Sequence, residues 1–273
     1  LLTNDVIEEL YKNHIGIGIS IDGDRKCHDL QRTFVSGKGS YDTVKKNLLQ
    51  AQRYYKNKIG TITTITKQTA VHIEKIIEHL VLDLHISNIK LNFVHASTYT
   101  HGQNQCLNTQ EIADTELRIL YKIIELQERG YDVMEHNIFI KLKNLLFREY
   151  ADICLSCGCC GGKKMIVFDM DGNIYPCELT DDASFVIGSI YKKESLIEQI
   201  KMTIDKDKAF FKMKKAVECE KCYWKFFCRG GCTVRALSEK RQMEVIDIDH
   251  IECAINQVLY PALMELVLRK PHI

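Results

Sequence analysis

The chain has 273 residues, with 37 Lys plus Arg against 36 Asp plus Glu, and 45% of its residues are apolar. The balanced charge excludes nucleic acid or an anionic membrane as a partner held by global electrostatics, and the apolar content excludes a disordered chain. No uncharged apolar run is long enough to span a bilayer, so neither nucleic acid nor membrane is expected as a partner.

Residues 1–5 carry no initiator Met and no basic n-region. Asn4 or Thr3 followed by Asp5, Glu8 and Glu9 reads as the start of a helix already inside a fold, which makes the expectation a piece of a longer protein. From there to about residue 95, helix and strand alternate. Val6, Ile7, Leu10 and Tyr11 make a helical stripe, and residues 15–21 make a β-branched run closed by Asp22-Gly23. A Gly- and Ser-bearing loop at 36–40 leads to a helix predicted over 41–56. A strand follows over 59–66, then a helix capped by Thr69 and running to 83, then a strand over 89–94. Strands apolar on both faces between amphipathic helices predict parallel βαβ units, and three strands make only half a barrel. Residues 96–108 form a polar loop, and helices are predicted over 109–129, ending at Gly130, and over 134–149.

From Ala151 the composition changes. Of the twelve cysteines, two precede Cys154 and ten lie from it onward. Cys154, Cys157, Cys159 and Cys160 crowd a Gly-rich loop. A hairpin is predicted from 165–170 through Asp171-Gly172-Asn173 into 174–177. After two short helical segments come Cys219, Cys222, Cys228 and Cys232, and Cys253 sits in the last helix. Nothing directs the chain to an oxidising compartment, against disulfides. Cys219-x2-Cys222 with Cys228-x3-Cys232 fits a four-thiolate zinc site. Two four-iron clusters need eight thiolates, and ten are present here. The distance of Cys177 from the later group, and the Tyr223-Trp224, Phe226-Phe227 and Gly230-Gly231 pairs, favour clusters over zinc, with zinc kept open.

These residues resemble the SPASM domain of radical S-adenosylmethionine (SAM) enzymes, in Cys159 or a neighbour, Gly172-Asn173-Ile174-Tyr175-Pro176-Cys177, Cys219-x2-Cys222-x5-Cys228-x3-Cys232 and Cys253. Gly18-Ile19-Ser20-Ile21-Asp22-Gly23, His28-Asp29, Arg32 and residues 37–42 are similar to the fourth strand and following loop of the partial (β/α)6 barrel of the same enzymes. The resemblance implies an α/β fold: residues 1–108 as barrel strands 4–6, 109–150 as connecting helices, and 151–273 as the SPASM domain with its β-hairpin and helices. It implies that Cys219, Cys222, Cys228 and Cys253 hold one auxiliary 4Fe-4S cluster. Cys177 and Cys232 then hold a second, nearer the substrate, with further ligands from the 154–160 loop, where Cys157, Cys159 and Cys160 are preferred. Ser20 and Asp22 become SAM-contact candidates. Glu178 stands where sulfatase-maturating relatives carry an acid proposed to take the substrate proton; an exposed turn glutamate is the alternative. Cys27 and Cys106 read as ordinary small apolar residues.

The Cys-x3-Cys-x2-Cys loop that holds the SAM-binding cluster is not in these 273 residues. The expectation is that about a hundred residues precede Leu1, and that this chain alone does not cleave SAM. The complete enzyme, a cytoplasmic maturase, is expected to carry SAM and a third 4Fe-4S cluster. It abstracts a hydrogen atom from a peptide or protein and takes electrons from a flavodoxin- or ferredoxin-like donor. The long helical insert and the Cys-rich loop lean toward a ribosomal-peptide maturase over a sulfatase maturase that makes formylglycine. A non-catalytic Fe–S electron-transfer module or scaffold, and a zinc-stabilised binding domain, are the other classes. Lys212, Lys214 and Lys215 offer a basic patch for an acidic leader peptide or donor; a solvated face is the plainer reading.

Overall fold

The computed structural model describes residues 2–95, 103–149, 154, 159–162, 164–180, 183–205, 217–238 and 248–269. It divides into two compact units, Leu1–Val94 with Asn104–Lys141, and His95–Gln103 with Leu142–Ile273.

In the first unit, α1 (Asn4–Lys12) precedes β1 (Gly18–Ser20), α2 (Arg25–Gln31) and α3 (Tyr41–Tyr55). Then come β2 (Gly60–Ile65), α4 (Lys67–Ala70), α5 (Ile73–Glu78), β3 (Asn88–Phe93), α6 (Thr109–Glu128), β4 (Met134–Glu135) and the start of α7 (His136–Phe147). The four strands form one parallel sheet in the order β1-β2-β3-β4, with Ser20 beside Ile62, Ile62 beside Lys90, and Ile89 beside Glu135. One face is packed: Thr61, Thr63 and Ile65 of β2 and Ile89 and Leu91 of β3 are buried, as are Leu48, Ile73, Ile77, Ile119 and Leu126 of the helices. The opposite face carries Ser20, Ile62, Thr64, Lys90 and Asn92, none of them buried.

Five sequence expectations change here. The strands are not apolar on both faces, because the second face is left uncovered and bears polar side chains. The strand expected over 15–21 shrinks to three residues, since β2 begins at Gly60, opposite Gly18, and residues before Gly18 have no neighbour to pair with. The helix after β2 is capped by Thr66, not Thr69; Thr69 is the third helical residue and returns its hydroxyl to the Thr66 N–H at 2.9 Å. That helix is also not continuous to 83: α4 and α5 are separate and a π turn covers His79–Asp83. Finally, Met134–Glu135 is a strand and not the first turn of a helix.

In the second unit, β5 (Val167–Phe168), β6 (Asn173–Tyr175) and β7 (Gly188–Ser189) make an antiparallel sheet in that order. The turn between β5 and β6 works because Asp169 accepts the N–H groups of Asp171 and Asn173 at 2.9 and 2.8 Å, and Gly172 takes φ +76°. Helices α8 (Leu196–Asp205), α9 (Val217–Glu220), α10 (Lys225–Cys228), α11 (Thr233–Ser238) and α12 (His250–Arg269) follow. By length and composition α12 meets the measure of a membrane span. It carries Glu252, Glu265 and Arg269, and Ile255, Leu259, Tyr260 and Leu263 are buried. Tyr260 stacks on Trp224 with ring centres 5.2 Å apart.

Candidate functional site

Functional groups of parallel α/β folds gather at the C-terminal ends of the strands, and there the first unit has a closed ring of hydrogen bonds. Asp22 follows β1 and is 1% exposed. Its carboxylate accepts the Thr64 N–H at 2.8 Å and the Arg32 Nε–H at 2.6 Å. The Asp22 N–H donates to Nδ1 of the buried His28 at 3.1 Å, so His28 Nε2 carries the proton and donates to Ser40 Oγ at 3.0 Å. Ser40 Oγ in turn donates to the Arg32 carbonyl at 2.8 Å, closing the ring. Burial holds the His28 pKa below its ordinary value, which keeps the acceptor at Nδ1. Gly23, at φ +94°, makes the turn after Asp22, and a Cβ there would meet Ile76 Cγ1 at 2.7 Å. Of the two strand-end candidates, Ser20 therefore offers an exposed hydroxyl on the open face, whereas Asp22 is spent on Arg32 and the β2 backbone. Arg32, with a third of its side chain exposed, also donates from Nη2 to the hydroxyl of Thr64 on that face at 3.5 Å.

Glu135 is a buried carboxyl that sequence reasoning passed over. Its Oε1 accepts the Leu91 N–H at 2.9 Å and its Oε2 the Ile138 N–H at 2.8 Å, so it extends the β3–β4 ladder and caps α7 at once. Burial pushes its pKa up to about 7 against these backbone donors. The folded value lies above the unfolded one, 4.5. Its contribution is thus whole below pH 4.5 and lost as the pH rises through about 7, a loss of roughly 3 kcal/mol. His28 acts oppositely, losing its contribution as the pH falls below 6.5. Glu135→Gln removes only the first trend. In urea titrations from pH 5 to 8 the variant is expected to lose less stability toward alkaline pH than the parent. At pH 5 it is less stable by about 1–3 kcal/mol, since one backbone N–H is left without an acceptor. An unchanged pH slope would refute this role.

In the second unit, Cys219, Cys222, Cys228 and Cys253 line one cavity with Trp224, Asp249 and Gln257. Its walls border about 430 Å³ of atom-free space, part of it open to solvent. Local structure explains how distant positions reach it. Cys219 lies on α9 and Cys228 ends α10; Cys253 is in the first turn of α12. Arg229, Gly230 and Gly231 all have positive φ, which folds the chain back between Cys228 and Cys232. Gln257, one turn after Cys253, donates Nε2–H to Cys222 Sγ at 3.7 Å. The Cys253 thiol is pushed up, first by burial and then by the charges of Cys222 and Cys219 beside it. Among the described residues no three His, Cys, Asp or Glu side chains converge tightly enough for a single metal ion.

A second sulfur group lies around the buried pair Phe185 and Val234, against which Cys159, Cys232 and Leu179 pack. Cys177 Sγ accepts the Leu179 N–H at 3.4 Å and donates to Glu178 Oε2 at 3.5 Å. Burial pushes the Cys177 thiol up to about 12, with Glu178 and Cys232 adding to the effect. Cys232 precedes α11, and its sulfur takes the N–H groups of Val234 and Arg235. Glu178 is exposed. Cys160 is fully buried and its sulfur is in a disulfide, so it can serve iron only once reduced. Cys154 is exposed, while Cys157 and the basic patch at Lys212, Lys214 and Lys215 lie outside the described residues. Cys27, buried in the first unit with its thiol pushed up to about 11 by burial, and Cys106, partly buried, join neither group.

No family model matches the chain. Its homologues are anaerobic sulfatase-maturating enzymes. The cysteine-type enzyme of Clostridium novyi (strain NT) is 25% identical over 224 residues, covering 81% of this chain and 58% of the relative. This chain thus spans little more than half the length of that relative. Among solved structures, native anSMEcpe with bound AdoMet and the Cp18Cys peptide is similar with a TM-score of 0.82 at 19% identity, over 98% of this chain and 74% of that one. Streptococcus suis SuiB bound to the precursor peptide SuiA is similar with a TM-score of 0.58 at 16% identity, over 90% of this chain and 55% of that one.

Proposed function

We propose that this chain is the auxiliary-cluster part, with half of the catalytic barrel, of a radical SAM maturase that modifies a peptide or protein. The observation that carries the reading is the convergence of Cys219, Cys222, Cys228 and Cys253 on one cavity, with Cys159, Cys177 and Cys232 grouped separately. Four thiolates spread around a cavity suit a polyatomic iron–sulfur cluster better than one zinc ion, whose four sulfurs sit about 2.3 Å from a single point. Such clusters, when bound, supply one-electron acceptors or a ligation point for substrate. The indole of Trp224 and the Gln257 amide give the first group an apolar wall and a hydrogen-bond donor, the features that tune a cluster's potential.

For the first unit, the reading assigns the open sheet face to SAM and the substrate peptide. Ser20 offers the hydroxyl contact, and Asp22 acts from behind by aiming Arg32 at the same face. Exposed Glu178, next to Cys177, is the base that receives the substrate proton. Homology to sulfatase-maturating enzymes, and peptides bound in two of the similar structures, support a peptide substrate. The comparisons favour the sulfatase type over the ribosomal-peptide type that the helical insert pointed to, since anSMEcpe is the nearer of the two in fold. A cytoplasmic setting and a flavodoxin- or ferredoxin-like donor belong to the same proposal. The test is anaerobic iron and sulfide analysis of the reconstituted chain with its absorption spectrum. About eight irons per chain are expected; a colourless protein with about one zinc and no iron overturns the reading.

A further inference from the structure

Between the two sulfur groups lies an ion pair that neither motif includes. Asp249 is 1% exposed and precedes α12. Its Oδ2 accepts the Cys232 N–H at 2.7 Å, and its backbone carbonyl accepts the Cys253 N–H at 2.9 Å. One residue is therefore bonded to a cysteine of each group. The same carboxylate caps α12 through the Glu252 N–H at 3.1 Å and lines the cavity of the first group. Its counter-charge is Arg235, whose Nη2 and Nε lie 2.7 and 3.0 Å from Oδ2, and whose Nη2 also reaches Glu252 Oε2 at 3.3 Å. Arg235 stands three residues after Cys232 on α11 and does not line the cavity of the first group. Space around the pair is tight: a Cβ on Gly231 would meet Asp249 Oδ2 at 2.7 Å.

We infer that Asp249 and Arg235 are positioning residues that hold Cys232 and Cys253 in fixed relation and set, by their charges, the reduction potentials of the clusters on either side. The inference rests on the cluster reading above. Reduction adds one electron to a cluster and breaks no bond, so a nearby fixed charge acts directly on the potential. Arg235 favours the reduced state of the group containing Cys177 and Cys232. Asp249, facing both groups, disfavours it in both.

The test is a potentiometric titration with dithionite as reductant, followed by electron paramagnetic resonance, on the anaerobically reconstituted chain. Arg235→Met is expected to lower the potential of one cluster and leave the other in place, and Arg235→Lys to restore most of the difference. Asp249→Asn, which keeps the capping oxygen, is expected to raise both. Opposite shifts from two partners of one ion pair cannot come from a loss of structure, which would move both variants alike. Equal shifts of one sign, or no shift beyond the scatter of repeat titrations, overturn the inference while the cluster reading stands. A parent chain that takes up no iron overturns both. Should Arg235→Met fail to load iron, a rise of both potentials in Asp249→Asn beside little change in Arg235→Lys supports the inference, and no rise in Asp249→Asn overturns it.

Discussion

A Cys219→Ala, Cys222→Ala double variant is expected to hold about four irons per chain where the parent holds about eight. The two thiolates it removes face one cavity, and the remaining pair, Cys228 and Cys253, is too few to retain a cluster that takes four. Cys177→Ala with Cys232→Ala is expected to remove the other four irons. Combining all four substitutions leaves none. Cys27→Ala and Cys106→Ala leave the iron content unchanged, because neither belongs to a sulfur group. Iron and sulfide analysis with the visible absorption reads each case. If either double variant loses all the iron, the two groups are one site and the division is wrong. If the first loses none, the cavity is not a cluster site.

The second large effect belongs to the ring around Asp22. Arg32→Met is expected to destabilise the first unit by about 3–5 kcal/mol, because it leaves the buried Asp22 carboxylate without its cation. Asp22→Asn is expected to be milder, about 1–3 kcal/mol, since Arg32 is a third exposed and rehydrates while the amide oxygen still accepts the Thr64 N–H. Equilibrium urea unfolding measures both. The order matters more than the sizes. Equal losses would mean that Asp22 and Arg32 meet in a solvated pair, and that Asp22 is not held back from the open face by its partner.

Much of the fold is legible in the chain before any coordinates. The stripe over 41–56 became α3, the β-branched runs became β2 and β3 within a residue or two, and the helix predicted from 109 became α6. These are local signals, written in spacing and capping. Glu135 escaped because a two-residue strand has no periodicity, and a glutamate before a helical stripe reads as the first turn of that helix. Only the β3 backbone, 44 residues away in sequence, makes it a strand end. The polar face of the sheet escaped for a related reason. Thr61 and Thr63 are buried, whereas Ile62 is 39% exposed, so side-chain polarity along β2 runs against burial.

The cysteine spacing by itself determined which residues to watch, because thiolate chemistry needs sulfur and the chain concentrates it after Cys154. The tertiary structure decided which sulfurs share a cavity and which stand apart, that Cys160 is in a disulfide, and that Asp249 ties Cys232 to Cys253. Those are contacts between segments far apart in the chain. Spacing limits how far such segments can reach, but packing settles where they meet.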